Sequence, residues 1–105
     1  MKKKQTTWVL LFLFTFLIHL PGKADVRLPK IFGSNMVLQQ GIAVPIWGWA
    51  TPGERIVVTF NQATERTRAD RQGKWRVNLP AQEYGGPFTL TVKGNNTVTF
   101  EEVMI

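Results

Sequence analysis

The chain has 105 residues, which is the length of one small domain and excludes a multidomain enzyme within this sequence. It carries 13 basic and 7 acidic residues, but Lys2, Lys3, Lys4 and Lys23 supply four of the positive charges at the N-terminus. Without them, 9 basic residues face 7 acidic ones. The remaining net charge of +2 gives no electrostatic reason to expect a nucleic-acid partner.

The first 24 residues have the succession of regions that is typical of a secretory signal peptide. Lysines precede an apolar run over residues 8–20, which Pro21 ends. Gly22 and Ala24 then place small residues at the −3 and −1 positions of a cleavage site. The apolar run is shorter than the ~20 residues that a membrane-spanning helix needs. We therefore predict that residues 1–24 are cleaved on export to the periplasm or the extracellular space, which leaves no membrane anchor.

From Val26 onward, the chain is predicted to form short strands separated by turns. Apolar and polar side chains alternate along most of them, as in strands with one buried face. The predicted strands are 44–50, 55–60, 64–69, 75–79, 88–92 and 97–105. Strands that recur every ~8–12 residues with turn signals between them are typical of a sandwich or barrel. We predict an all-β fold over residues 25–105, a small antiparallel β-sandwich of immunoglobulin-like or jelly-roll-like type.

Turn residues separate these strands. Pro52 presets φ for a β-turn and Gly53 accepts the positive φ that follows. Residues 70–73 have the composition of a hairpin loop that ends in glycine. The strand 64–69 is polar throughout, which predicts an edge or solvent-facing position.

Alternation also predicts the core. The side chains expected to face inward are Ile56, Val58, Phe60, Trp75, Val77, Leu79, Phe88, Leu90, Val92, Val98 and Phe100. Because the chain has no cysteine, core burial or docking on another domain must stabilise it after export. A single core of this size supplies about 3–5 kcal/mol. We therefore expect marginal stability in isolation.

The sequence offers few groups for catalysis. The only histidine, His19, lies in the predicted signal peptide, and the only serine is Ser34. A serine nucleophile needs a base within hydrogen-bond reach, and a His/Cys metal site needs imidazole or thiolate ligands. We predict no catalytic residue, no metal site and no cofactor in residues 25–105. The seven carboxylates are expected to be solvated surface charges, with a glycosidase-type pair as the alternative.

Two groups of side chains are candidate binding surfaces. Trp47 and Trp49 are two residues apart and therefore share one side of a strand. They fit the core or a domain interface or, alternatively, an exposed platform on which a sugar ring stacks. The second group is basic but interleaved with acidic residues, which favours a solvated strand face over an anion-binding patch; it comprises Arg66, Arg68, Arg71, Lys74 and Arg76.

Several short stretches of the sequence resemble the mature N-terminus of bacterial sialate O-acetylesterases, also called 9-O-acetylesterases, and they occur in the same order. They lie at residues 25–32, 35–40, 44–50, 52–54, 69–70, 73–75, 85–88, 91–94 and 96–97. Together they cover essentially the whole of the predicted domain. The resemblance implies an N-terminal β-sandwich that packs against a larger SGNH-type hydrolase domain, which removes O-acetyl groups from sialic acids or related glycans.

In that family the catalytic serine lies in a Gly-Gln-Ser-Asn block beyond the strand that corresponds to 97–105, and the acid and histidine follow far downstream. None of these positions has a counterpart here. Ser34 lacks the strand-to-helix turn and the base of a nucleophile elbow, so it is not the expected nucleophile.

The chain stops in an apolar strand at Ile105, and we therefore expect it to be cut before the hydrolase domain. That domain and acetylated glycans are the implied partners. A free-standing carbohydrate-binding module and an immunoglobulin-like interaction domain are the alternatives.

Overall fold

The structure, a computed structural model, describes residues 24–105. The predicted signal peptide therefore lies outside the described residues, apart from Ala24. The described chain forms six strands: β1 (Val44–Trp49), β2 (Arg55–Phe60), β3 (Ala63–Arg68), β4 (Lys74–Leu79), β5 (Phe88–Lys93) and β6 (Thr97–Val103). Within this part of the chain, no helix capable of crossing a membrane is found.

The strands form two antiparallel sheets. The small sheet pairs β1 with β4, and the large sheet has the order β3-β2-β5-β6. A bridge between Arg27 and Trp49 extends the small sheet, and a parallel bridge between Val37 and Met104 extends the large one. The all-β prediction is confirmed. β3, which overlaps the polar strand predicted at 64–69, lies at an edge of its sheet as predicted.

Both sheets contribute to one core. Ile46 and Leu79 come from the small sheet and Val58 and Leu90 from the large one, and all four are fully buried. Every predicted core residue is either buried or packed against the buried cluster. Burial of one such side chain contributes roughly 1.5–3 kcal/mol, so the alternating pattern fixes which face of each strand turns inward.

The prediction of a hairpin at residues 70–73 is wrong. A turn does form there, and the carboxylate of Asp70 accepts hydrogen bonds from the backbone N–H groups of Gln72 and Lys74, both at 2.9 Å. However, β3 pairs with β2 and β4 pairs with β1. The turn therefore carries the chain from the large sheet to the small one. Turn chemistry specifies where a chain reverses but not which strand becomes the partner.

The N-terminal residues join the two sheets. The backbone N–H of Val26 donates to Asn96 Oδ1 at 2.6 Å, and its carbonyl accepts from Asn96 Nδ2 at 3.3 Å. The next residue, Arg27, exchanges two backbone hydrogen bonds of 2.8 Å with Trp49. Asn96 lies beside β6 and Trp49 ends β1, so this short segment connects the large sheet to the small one.

The last strand ends at Val103, two residues before the end of the predicted range 97–105, and its alternation breaks inside it. Glu102 has a φ of +57°, and both Glu101 and Glu102 are exposed. Val103 then turns inward and is fully buried. A change of side-chain direction within a strand of this kind is typical of a bulge.

Candidate functional site

Trp47 and Trp49 lie on the outer face of the small sheet. Each of these two residues is 37% exposed, whereas Ile46 and Ala50 on the same segment are buried. The inner position between them is Gly48. Neither tryptophan therefore belongs to the core, which leaves a domain interface or a sugar-binding platform as their role.

Two residues of the segment that precedes β1, residues 26–43, contact the indoles from one side. We call this the N-terminal segment. The ring of Phe32 meets that of Trp47 edge to face, with centroids 4.8 Å apart and an interplanar angle of 78°. The guanidinium carbon of Arg27 lies 5.7 Å from the centre of the Trp49 ring, within range of a cation–π interaction. These contacts limit the rotation of both rings.

On their other side the two indoles border a shallow groove of about 690 Å³. Pairing of β1 with β4 places Trp47 opposite Arg76 and Trp49 opposite Lys74. We call this the tryptophan groove, and it is lined by Pro45, Trp47, Gly48, Trp49, Arg68, Asp70, Lys74, Trp75 and Arg76.

The charges of the tryptophan groove are mostly positive. Arg68, Lys74 and Arg76 are exposed. Asp70 is the one acidic residue of the lining, and one oxygen of its carboxylate already accepts two backbone hydrogen bonds of its own turn. An anion in this groove would therefore meet three cations and a carboxylate that is directed at the backbone.

The five basic residues considered together in the sequence are divided by the fold. Three of them line the tryptophan groove. Arg66 instead lies beside Arg55 and Val57 on the large sheet, and Arg71 lies in the exposed turn that follows β3. The prediction of solvated charges fits Arg66 and Arg71. The fold instead places Arg68, Lys74 and Arg76 in the same groove as the two indoles.

Ser34 has a structural contact. Its Oγ accepts a hydrogen bond from the backbone N–H of Glu101 at 3.0 Å, and the N–H of Asn35 donates to the carbonyl of Glu101 at 2.9 Å. Asn35 adopts a φ of +68°. The hydroxyl therefore helps to tie the N-terminal segment to β6.

Glu54 also has a structural contact. Its carboxylate accepts hydrogen bonds from the backbone N–H of Thr51 at 3.0 Å and from Asn95 Nδ2 at 2.9 Å. This carboxylate, predicted as a solvated charge, joins two turns. Over residues 24–105, no three His, Cys, Asp or Glu side chains come together as a metal site would require.

A solved crystal structure has the same fold and a related sequence. It is a novel carbohydrate acetylesterase from Xanthomonas citri. The TM-score is 0.75 and the sequence identity is 34% over 76% of this chain. The matched region is 19% of the acetylesterase chain, so the present chain corresponds to a small part of that protein. No family model matches the sequence, and no curated protein does.

These comparisons give the domain a carbohydrate esterase-related fold. At this level of identity the likeness extends beyond strand order to sequence. The part of the resemblance that concerns carbohydrate esterases is thereby supported, while its restriction to sialic acid is not.

Proposed function

We propose that this chain is the non-catalytic N-terminal β-domain of an exported carbohydrate acetylesterase. The parent reaction would be the hydrolysis of O-acetyl groups on sialic acid or related glycans. The observation that carries the proposal is the 34% identity to a carbohydrate acetylesterase at a TM-score of 0.75, over 19% of that enzyme. The short sequence stretches that resemble sialate O-acetylesterases support O-acetylated sialic acid as the more specific substrate.

The side chains of the domain support a non-catalytic role. Ester hydrolysis by a serine requires a hydroxyl, a base that removes its proton and donors for the oxyanion. The only serine, Ser34, uses its hydroxyl to accept a backbone hydrogen bond. The only histidine, His19, precedes the domain in the sequence. The remaining machinery would come from a separate catalytic part of the protein.

An exposed apolar surface supports docking onto that catalytic part. Val37, Ile42 and Tyr84 are each more than half exposed. Backbone hydrogen bonds connect their three segments to one another and to the last residues of the chain: Leu38 to Met104 at 2.8 Å, Gly41 to Gln82 at 3.0 Å and Ile105 to Gly85 at 3.0 Å. Exposed apolar side chains on connected segments are typical of an interaction surface, and we assign this surface to the catalytic part.

The chain alone is expected to hydrolyse no acetyl ester. The measurement is release of p-nitrophenol from p-nitrophenyl acetate by the purified chain, compared with buffer. The matched sample is the same protein extended by the reading frame that follows the Ile105 codon. Turnover by both chains would contradict the non-catalytic role. An inactive extension that encodes no Gly-Gln-Ser-Asn block would contradict the link to an acetylesterase.

Export is expected to yield a chain that begins at Asp25. N-terminal sequencing of the protein secreted or released from the periplasm measures this. Replacing Ala24 with a bulky residue, as in Ala24→Phe, should retain the precursor because signal peptidase requires a small residue at this position. A product that keeps residues 1–24 in the wild-type chain would contradict the predicted signal peptide.

A further inference from the structure

The two outer faces of the domain differ in chemistry. On the large sheet, the strand register aligns four threonines in one row across the four strands; these are Thr64, Thr59, Thr91 and Thr99. On the small sheet, the corresponding outer positions hold two partly exposed tryptophans. The large sheet therefore presents a row of polar side chains on its outer face, whereas the small sheet presents two indoles that border a groove. Exposed indoles in a groove point to a ligand.

Trp47 and Trp49 offer two aromatic side chains beside the same groove. Two residues along a strand advance by about 6.8 Å, so an extended ligand that lies along β1 could contact both indoles. The face of an indole carries partial negative charge, which attracts the C–H groups on the apolar face of a pyranose ring. Since Phe32 and Arg27 already restrict the two indoles, less conformational entropy is lost on binding.

The cations of the groove select the charge of that ligand. Arg68, Lys74 and Arg76 come from β3 and β4 and border the same groove as the indoles. A neutral sugar forms ordinary hydrogen bonds with these groups, while a carboxylate accepts charge-assisted hydrogen bonds from guanidinium and ammonium groups, which are roughly twice as strong.

We propose that the tryptophan groove binds an acidic oligosaccharide, with pyranose rings on Trp47 and Trp49 and sugar carboxylates at Arg68, Lys74 and Arg76. The proposal deepens the proposed function, on which it rests, because it gives the non-catalytic domain the task of holding a glycan for the catalytic part. It identifies the ligand by its chemistry, a carboxylate-bearing chain of pyranose rings.

The first test compares an acidic ligand with its neutral methyl ester. The purified chain is titrated with α-1,4-linked tetragalacturonic acid and with its fully methyl-esterified form, and binding is followed by tryptophan fluorescence and calorimetry. We expect the acid to bind more tightly than the ester. Raising the salt from about 0.1 M to about 1 M shortens the Debye length from ~10 to ~3 Å and should remove most of that difference. Equal affinity for the two ligands, or no binding of either, would overturn the proposal.

The second test separates the aromatic and the ionic contributions. Trp47→Ala should abolish binding of both ligands. Arg76→Gln should weaken only the acid, by about 1.5- to 5-fold, as expected for one exposed ion pair. The matched control is Arg66→Gln, which removes an exposed arginine of β3 that lies outside the groove, and it should change neither affinity.

A thermal melt of each variant keeps the test decisive. If Trp47→Ala is less stable than the wild type, Arg76→Glu replaces it, because this substitution keeps both indoles and reverses one charge. Retention of full affinity for the acid by Arg76→Glu would overturn the proposal. These results do not depend on whether the extended reading frame encodes an esterase, so failure of this inference can be told from failure of the proposed function.

Discussion

Replacing Trp75 with alanine is expected to unfold the domain at room temperature. The indole is 3% exposed and lies on β4, facing the core. Its Nε1 donates a hydrogen bond to the backbone carbonyl of Trp49 at 3.2 Å, which joins β4 to the end of β1. Removal of a buried tryptophan typically costs about 3–5 kcal/mol. The whole stability expected of a domain of this size without disulfides is of the same order.

The measurement is a thermal or urea melt of the Trp75→Ala chain, followed by circular dichroism. Trp75→Phe is an intermediate case, since it keeps an aromatic ring but loses a hydrogen bond worth about 1 kcal/mol. The matched control is Arg76→Ala, the next residue of the same strand. Its side chain is exposed, so stability should change by no more than ~0.5 kcal/mol. An unchanged melt of Trp75→Ala would mean that this indole does not hold the sheets together.

The strands could be predicted because this information is local. In β2 and β4, every second side chain is apolar, and these side chains are the buried ones. Position Gly53 adopts the positive φ that the turn composition predicts. The partners of the strands could not be predicted in this way. Strand β1 precedes β2 in the chain, but it pairs with β4 in the small sheet.

The candidate site depends on this non-local pairing. The sequence indicates Trp47 and Trp49 as one candidate surface and a run of basic residues as another. It does not predict that the two groups lie next to each other. Only the register of β1 with β4 places Arg76 beside Trp47. Likewise, Phe32 packs on Trp47 because the N-terminal segment runs along β1. No residue pattern in either segment signals that contact.

The β1 strand also contains a glycine that the packing requires. Gly48 lies on the inner side of β1, between the two tryptophans. A Cβ atom added there would collide with the backbone carbonyl oxygen of Arg27 and would touch the ring of Trp75 at 3.0 Å. Because backbone atoms cannot move aside as a flexible side chain can, the N-terminal segment must shift away from β1 if any side chain is present.

Gly48→Ala is therefore expected to destabilise the domain by about 1–3 kcal/mol, the usual range for overpacking a core. The loss should begin at the paired hydrogen bonds between Arg27 and Trp49, so the amide protons of these two residues should exchange faster with solvent than in the wild type. Hydrogen exchange measured by NMR, with a urea melt of the same sample, tests both expectations.

Gly33→Ala is the matched control for this substitution. An added Cβ there meets no atom within 4 Å, so stability should change by at most ~0.5 kcal/mol. If Gly48→Ala melts like Gly33→Ala and protects the Arg27 amide equally well, the N-terminal segment does not pack on β1 as described. In that case the support that Arg27 gives to the indole of Trp49 would also be absent, because this contact depends on the same pairing.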